Sequence, residues 1–99
     1  MRQVNRNEVV KQLNMLFPNI KKRFKANSIL LFGSVARGEN RIDSDIDVLV
    51  DFKKGADLFD LMGLADYLEH NLQHKVDVVS KNGLREELRG IVEKEAIAI

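Results

Sequence analysis

Asp45 and Asp47 stand two residues apart where an apolar run, Ile46 to Phe52, begins. Side chains two apart on a strand project to the same side, so this spacing brings two carboxylates together. Carboxylates held that close repel unless one is protonated or a cation joins them. Their hard oxygen atoms suit Mg²⁺ or Mn²⁺, ions that take one or two carboxylates together with the phosphate oxygens of a substrate. Asp77 is a third acid, set between Val76 and Val78 in a second apolar run, KVDVVS. The run Val78-Val79 predicts a well-buried strand, where a lone charge is costly without a partner. If the two runs are neighbouring strands, Asp77 approaches the first pair. Three converging acids can hold two metal ions, one to help activate an acceptor's nucleophile and one to bind a triphosphate.

Gly33 and Ser34 supply the phosphate side of such a site. They follow Ile29-Leu30-Leu31-Phe32 directly. Glycine lets a backbone approach a phosphate closely, and a helix start offers free N–H groups with a favourable dipole. The Ser34 hydroxyl can donate to a phosphate oxygen. Arg37, one turn later, can add a charge-assisted contact. Each feature also has a plainer reading. Gly-Ser is a common turn, Asp-x-Asp at a strand edge is commonly solvated, Asp77 can pair with a lysine, and Arg37 can bridge Glu39 or Asp43. The joint pattern is harder to dismiss than any part of it. Other residues carry less. His70 and His74 have i, i+4 spacing but no third ligand, Lys53-Lys54 reads as a solvated turn, and Tyr67 suits a helix surface better than a base stack. Asp51 shares the face of Asp47 but lies roughly 13 Å further along the strand.

The elements that position these residues follow from periodicity. Val9, Val10, Leu13, Leu16 and Phe17 make one helical stripe within 6–26, which Pro18 is expected to end or divide, with Ile20 and Phe24 buried on a second short helix. Asn27 and Ser28 break the chain before a strand at 29–32 covered on both faces. Gly33 to Gly38 reads as a turn into a short helix, and Glu39 to Ser44 as a polar loop. Residues 46–52 form the strongest strand. Asp57 caps a helix to about Leu72 whose inner face carries Leu58, Leu61, Met62, Ala65, Leu68 and Leu72. Residues 75–80 are a third strand. A last helix starts at Asn82 or Gly83, with Leu84, Leu88, Ile91 and Val92 at helical spacing, and the tail 96–99 extends it or pairs as a short strand. Alternation of this kind predicts an α/β domain spanning 1–99, a small mixed sheet flanked by helices.

Composition narrows the class of partner. The chain of 99 residues is 44% hydrophobic and 31% charged, as in ordinary globular proteins. No apolar run reaches the ~20 residues that span a bilayer, the opening MRQVNRNEVV lacks a signal-peptide core, and with no cysteine neither disulfides nor thiolate metal sites arise. A cytoplasmic location is the simplest expectation. The net charge of +1 conceals a basic first segment (Arg2, Arg6, Lys11, Lys21, Lys22, Arg23, Lys25) and an acidic one over 43–70. The basic end could meet an acidic partner or a polyanion, but a solvated helix face is the stronger explanation. A near-neutral chain without an aromatic-rich basic segment disfavours nucleic-acid binding. Apolar faces at the chain ends leave room for a homodimer.

Gly33-Ser34-Val35-Ala36-Arg37-Gly38-Glu39, followed by Ser44-Asp45-Ile46-Asp47, resembles the signature of the minimal nucleotidyltransferases, in the DNA polymerase beta-like nucleotidyltransferase superfamily. The family pattern is Gly-Ser, about ten residues, Asp-x-Asp, and later an Asp in an apolar strand, for which Asp77 stands here. The resemblance implies a mixed sheet flanked by helices, two divalent metals at Asp45, Asp47 and Asp77, and triphosphate contact from Gly33 and Ser34. It implies transfer of AMP from ATP to an acceptor, a tyrosine of a small all-helical HEPN toxin for which such a protein is the antitoxin. Two alternatives remain at this stage. One is a module that neutralises its partner by occlusion alone, and the other is transfer to a small molecule, which the lack of room for a second domain argues against.

Overall fold

A computed structural model describes residues 4–99, so Arg2 of the basic segment lies outside the described residues. Helix α1 spans Arg6–Phe24 without interruption. Asn5 caps it, its side chain accepting from the N–H groups of Asn7 and Glu8. The division expected at Pro18 does not occur. Leu13 and Ile20 lie on either side of Pro18 and are both fully buried, and seating that stripe on the sheet outweighs the roughly 3 kcal/mol that an interior proline costs. Lys21, Lys22 and Arg23 fill the last turn, where the helix dipole favours cations, and Lys25 ends the helix in the left-handed region.

Four strands form one sheet in the order β3-β2-β1-β4. Strand β1 (Ala26–Phe32) is antiparallel to β2 (Ile46–Phe52), which is parallel to β3 (Val76–Ser80). The tail pairs, as one of its two expected fates, in β4 (Ile97–Ala98) against Leu30 and Leu31. Asn27 and Ser28 belong to β1 rather than to a break, because pairing with β2 extends back to Ala26 through an irregularity in register.

Helix α3 (Leu58–Leu72) makes the crossover from β2 to β3 and packs beside α1 on one face of the sheet. Its start is a reciprocal cap. Asp57 accepts from the Asp60 N–H at 3.1 Å, and the Asp60 carboxylate accepts from the Asp57 N–H at 3.0 Å. Its buried residues are Leu64 and Leu68, whereas Leu58 and Met62, expected inside, face solvent with Phe59. The apolar stripe of the first turn of α3 is thus left uncovered. Tyr67 packs on Phe24, ring centroids 5.3 Å apart, with the Arg23 guanidinium over its ring.

The core is the layer between these helices and the inner sheet face, centred on Leu13, Ile20, Ile29, Leu31, Ile46, Val48, Val50, Leu64 and Leu68. The opposite sheet face is only partly covered. A 3-10 turn, Lys81–Gly83, packs against β2, and helix α4 (Glu86–Glu95) follows it. The last helix thus begins later than expected, and only Val92 of its apolar positions is buried. Among the described residues no helix is long and apolar enough to cross a membrane.

Candidate active site

The outer sheet face carries the acids. Strand pairing sets Phe32 of β1, Asp47 of β2 and Asp77 of β3 side by side in one register row. Paired residues on adjacent strands point to the same face, so Asp47 and Asp77 are neighbours there, their strands about 4.8 Å apart. Asp45 precedes the first residue of β2 and is half-buried. The condition left open by the sequence, that the two apolar runs be neighbouring strands, holds, since parallel pairing through α3 brings Asp77 to Asp47. The expectation that Asp77 is buried does not. It is exposed, because β3 is an edge strand and its outer face is open. No ion pair to Asp77 forms among the described residues, so the lysine-paired reading has no support.

Burial raises the Asp47 pKa to about 6, and the charges of Asp77 and then Asp45 push it the same way, while Arg37 opposes them. Asp47 is therefore close enough to feel both other acids. The three do not form a ready-made cage: among the described residues no three acidic or histidine side chains converge as a metal site. The donor set itself fits a hard divalent cation, since Mg²⁺ is bound through one or two carboxylates plus substrate phosphates rather than by an all-protein shell.

Gly33 lies against this acid row. It opens the short helix α2 (Gly33–Arg37) directly after β1 and has φ of +77°, a conformation that glycine adopts without strain. A methyl carbon placed there would overlap the Asp47 Oδ2 and sit 3.1 Å from its Cγ. The backbone and the carboxylate thus share a space that no other residue leaves open. No side chain caps the start of α2, and Ser34, half-buried, sits in that first turn. The helix is held from beneath by buried Val35 and Ala36 and from its far end by Gly38, also at positive φ. Arg6 donates to the Ala36 carbonyl at 3.2 Å, tying α1 to α2.

Arg37 is engaged elsewhere. Its guanidinium holds Glu39 and Glu95, each at 3.1 Å. The Glu39 hydrogen bond, followed by that of Glu95, raises its pKa further above the ordinary value. Glu39 was one of the two bridges anticipated; Glu95, 58 residues away, carries no sequence signal. Asn40 is another residue that sequence reasoning missed. Placed in a supposed polar loop, it is buried and donates to the Val4 carbonyl at 2.8 Å. His74 contacts the Ser44 carbonyl just ahead of Asp45 and so helps fix the approach to β2, while His70 is exposed on α3.

A glycine-led bend packed on a strand-borne Asp-x-Asp, with a third acid in register, is the arrangement that the sequence signature implied. The chain matches the sequence model of the nucleotidyltransferase domain over residues 13–99. It belongs to that family. This nucleotidyltransferase is 38% identical over 80 residues to the protein adenylyltransferase MntA of Thermococcus cleftensis, a match covering 81% of each chain. Its fold is that of a structure described as a candidate minimal nucleotidyltransferase, with a TM-score of 0.86, 37% identity and complete coverage (100%) of both chains. It also resembles a chain in the Shewanella oneidensis complex of a tri-AMPylated HEPN toxin with its MNT antitoxin, at a TM-score of 0.59 and 28% identity over 99% of this chain and 71% of that one.

Proposed function

We propose that this nucleotidyltransferase transfers AMP from ATP to a tyrosine hydroxyl of a small all-helical HEPN-type protein, and that it acts as the antitoxin of that partner. The observation that carries the reading is the Asp47–Asp77 register row packed against Gly33, where a single added carbon would strike the carboxylate. The base and acceptor are supported by kinship with relatives named for protein adenylylation and with a complex containing an AMPylated HEPN toxin.

In this reading Asp45, Asp47 and Asp77 hold up to two Mg²⁺ ions, with Mn²⁺ an alternative. Those ions, when bound, would neutralise phosphate charge and lower the pKa of the acceptor hydroxyl. The chain's own groups do the rest. The Gly33 backbone admits the triphosphate close to the sheet, and the Ser34 hydroxyl donates to one of its oxygens. Asp77, the exposed acid at the open edge, is placed to receive the acceptor's proton. The acceptor oxygen forms its bond to the α-phosphorus as the α–β bridging bond breaks, and pyrophosphate leaves with the displaced electron pair. Arg37 contributes to phosphate binding only if it exchanges a glutamate for a phosphate oxygen, an exchange its exposed position allows.

The test uses α-labelled ATP, Mg²⁺ and the all-helical protein encoded beside this chain. Label should pass to the partner and vanish when its tyrosines are replaced by Phe. ATP binding without transfer under any divalent ion would defeat the enzymatic reading. Neutralisation retained by the Asp45→Asn/Asp47→Asn variant would instead favour occlusion.

A further inference from the structure

Asp45 is placed differently from the other two acids. Asp47 and Asp77 lie inside paired strands, whereas Asp45 precedes β2 and follows the turn 41–44. Ser44 closes that turn: its N–H donates to the Arg41 carbonyl at 3.1 Å, and its hydroxyl accepts from the Arg41 N–H at 2.8 Å. Connecting segments of this kind open more easily than paired strands. Two further hydrogen bonds flank Asp45, and both end on the junction between α3 and β3. His74 meets the Ser44 carbonyl through Nε2, and the Ile46 N–H donates to the Lys75 carbonyl at 3.0 Å. A carbonyl oxygen only accepts, so the His74 ring is the donor. The backbone on either side of Asp45 is thus fastened to two consecutive residues, and Asp77 follows two positions later on the same segment. The junction is itself braced. Gln73 ends α3 in the left-handed region and donates to the His70 carbonyl at 2.6 Å, and the Glu69 carboxylate accepts from the Val76 N–H at 3.0 Å.

We propose that His74 is a positioning residue for nucleotidyl transfer: by holding the Ser44 carbonyl, it sets the Asp45 carboxylate where a divalent cation shared with Asp47 can reach it. The proposal rests on the reading of the three acids as the metal site, and it gives His74 itself no ligand role. Like charges brought together without a cation push apart. Asp45 is the one of the three acids that strand pairing does not anchor, so that push acts first on the turn that carries it. Were the turn free, a cation would bind only by ordering it, and that ordering would weaken the binding. Held in advance from His74 and Lys75, Asp45 keeps its place relative to Asp77 as well as Asp47, because one segment carries both the anchor and the third acid. The hydrogen bond thus supports a first ligand from behind, and such support has to be accurate to a fraction of an ångström for the site to work. A hydrogen bond that served only to brace the turn would leave its mark on stability and none on cation binding.

Calorimetry on the full chain tests this with one probe in two states, an ATP analogue carrying a methylene between its α- and β-phosphorus atoms, titrated once with Mn²⁺ and once in EDTA. His74→Leu keeps the bulk of the side chain and loses the donor. It should bind the Mn²⁺ complex about tenfold more weakly, the loss usual when the support behind a metal ligand is removed, and should bind the metal-free analogue as the wild type does. Its kcat/KM for transfer of label from ATP should fall at least as far. His74→Gln, whose side-chain amide reaches the position of Nε2, should restore both. Gln73→Ala removes a hydrogen bond of the same junction that ends on His70 rather than on Ser44, and should leave both at the wild-type level. Equal affinity of His74→Leu and the wild type for the Mn²⁺ complex, an equal loss for the metal-free analogue, or an equal loss in Gln73→Ala overturns the positioning role. Should His74→Leu not fold, His74→Asn, whose donor stops short at the position of Nδ1, stands in for it under the same outcomes. A wild type that binds the analogue equally well with Mn²⁺ and in EDTA defeats the metal-site reading itself, and the role of His74 falls with it.

Discussion

The two faces of one sheet are built on opposite terms. On the inner face, Ile29, Leu31, Val48 and Val50 are fully buried beneath α1 and α3. On the outer face, the same strands present Asp47, Asp77 and a part-exposed Phe32, with a helix whose apolar side chains are mostly uncovered. Alternation along each strand makes both faces from one segment: Val48 is in the core and Asp47, one residue earlier, is in the candidate site. A rigid, dry layer beneath lets the layer above hold like charges close together. Burial of Asp47, and after it the charges of Asp77 and Asp45, raises its pKa. Stability and chemistry are thus divided between faces rather than between regions of sequence.

The largest effect should come from the outer face and should be on activity. Asp47→Asn is expected to reduce nucleotide transfer about 1000-fold or more, equivalent to about 4 kcal/mol of transition-state stabilisation, measured by transfer of label from ATP. Its fold should survive. Leu31→Ala makes the reverse prediction. It should cost about 3 kcal/mol in urea unfolding by leaving a cavity between the sheet and its helices, while ATP affinity in the fraction that remains folded stays near wild type. If Leu31→Ala weakened ATP binding while sparing stability, the division between the faces would fail.

Gly33→Ala combines a backbone cost with a cost in the site and should fall between these. The left-handed backbone costs a side chain about 1 kcal/mol, and the new carbon must displace the Asp47 carboxylate. Transfer should drop about 100-fold with a modest fall in melting temperature. An active Gly33→Ala enzyme would mean that Asp47 moves freely, and that the close packing has no bearing on function.

The smallest effect is a dependence of stability on pH. The folded pKa of Asp47, about 6, lies above its ordinary value of 3.8. Between those values the folded state binds more protons than the unfolded state. Stability from this group is therefore greatest below about pH 4, falls as pH rises toward 6, and is level above that. Asp47→Asn removes the fall. The variant should match the wild type near pH 4 and exceed it above pH 6 by about 1 kcal/mol, after allowance for solvent screening of a part-exposed group. Equal pH profiles for the two proteins would show that neither burial nor the neighbouring acids hold the Asp47 proton in the folded state.

Much of this was readable in advance, and the failures share a cause. The strands at 46–52 and 75–80, the Asp57 cap and the phosphate-type bend all follow from local pattern, and the family is carried by a few residues between Gly33 and Asp47. Reading went wrong wherever the neighbour decided. Pro18 was expected to end a helix that tertiary packing carries through it. Leu58 and Met62 continue an inward stripe, yet no neighbouring element covers them. Asp77 was expected in a buried strand because Val78 and Val79 follow it, but an edge strand leaves one side open. Arg37 meets Glu95, a partner that no spacing rule connects to it.

The sequence by itself determined which residues can do the chemistry and which segments carry them, because residue type, strand period and helix period act within a few residues of one another. Only the tertiary structure decided that Asp77 stands beside Asp47, that Gly33 touches the same carboxylate, and that His74 and Lys75 fasten the chain on both sides of Asp45. Those relations depend on strand order and on which faces are covered. Strand order comes from packing summed over the whole chain, and no local pattern records it.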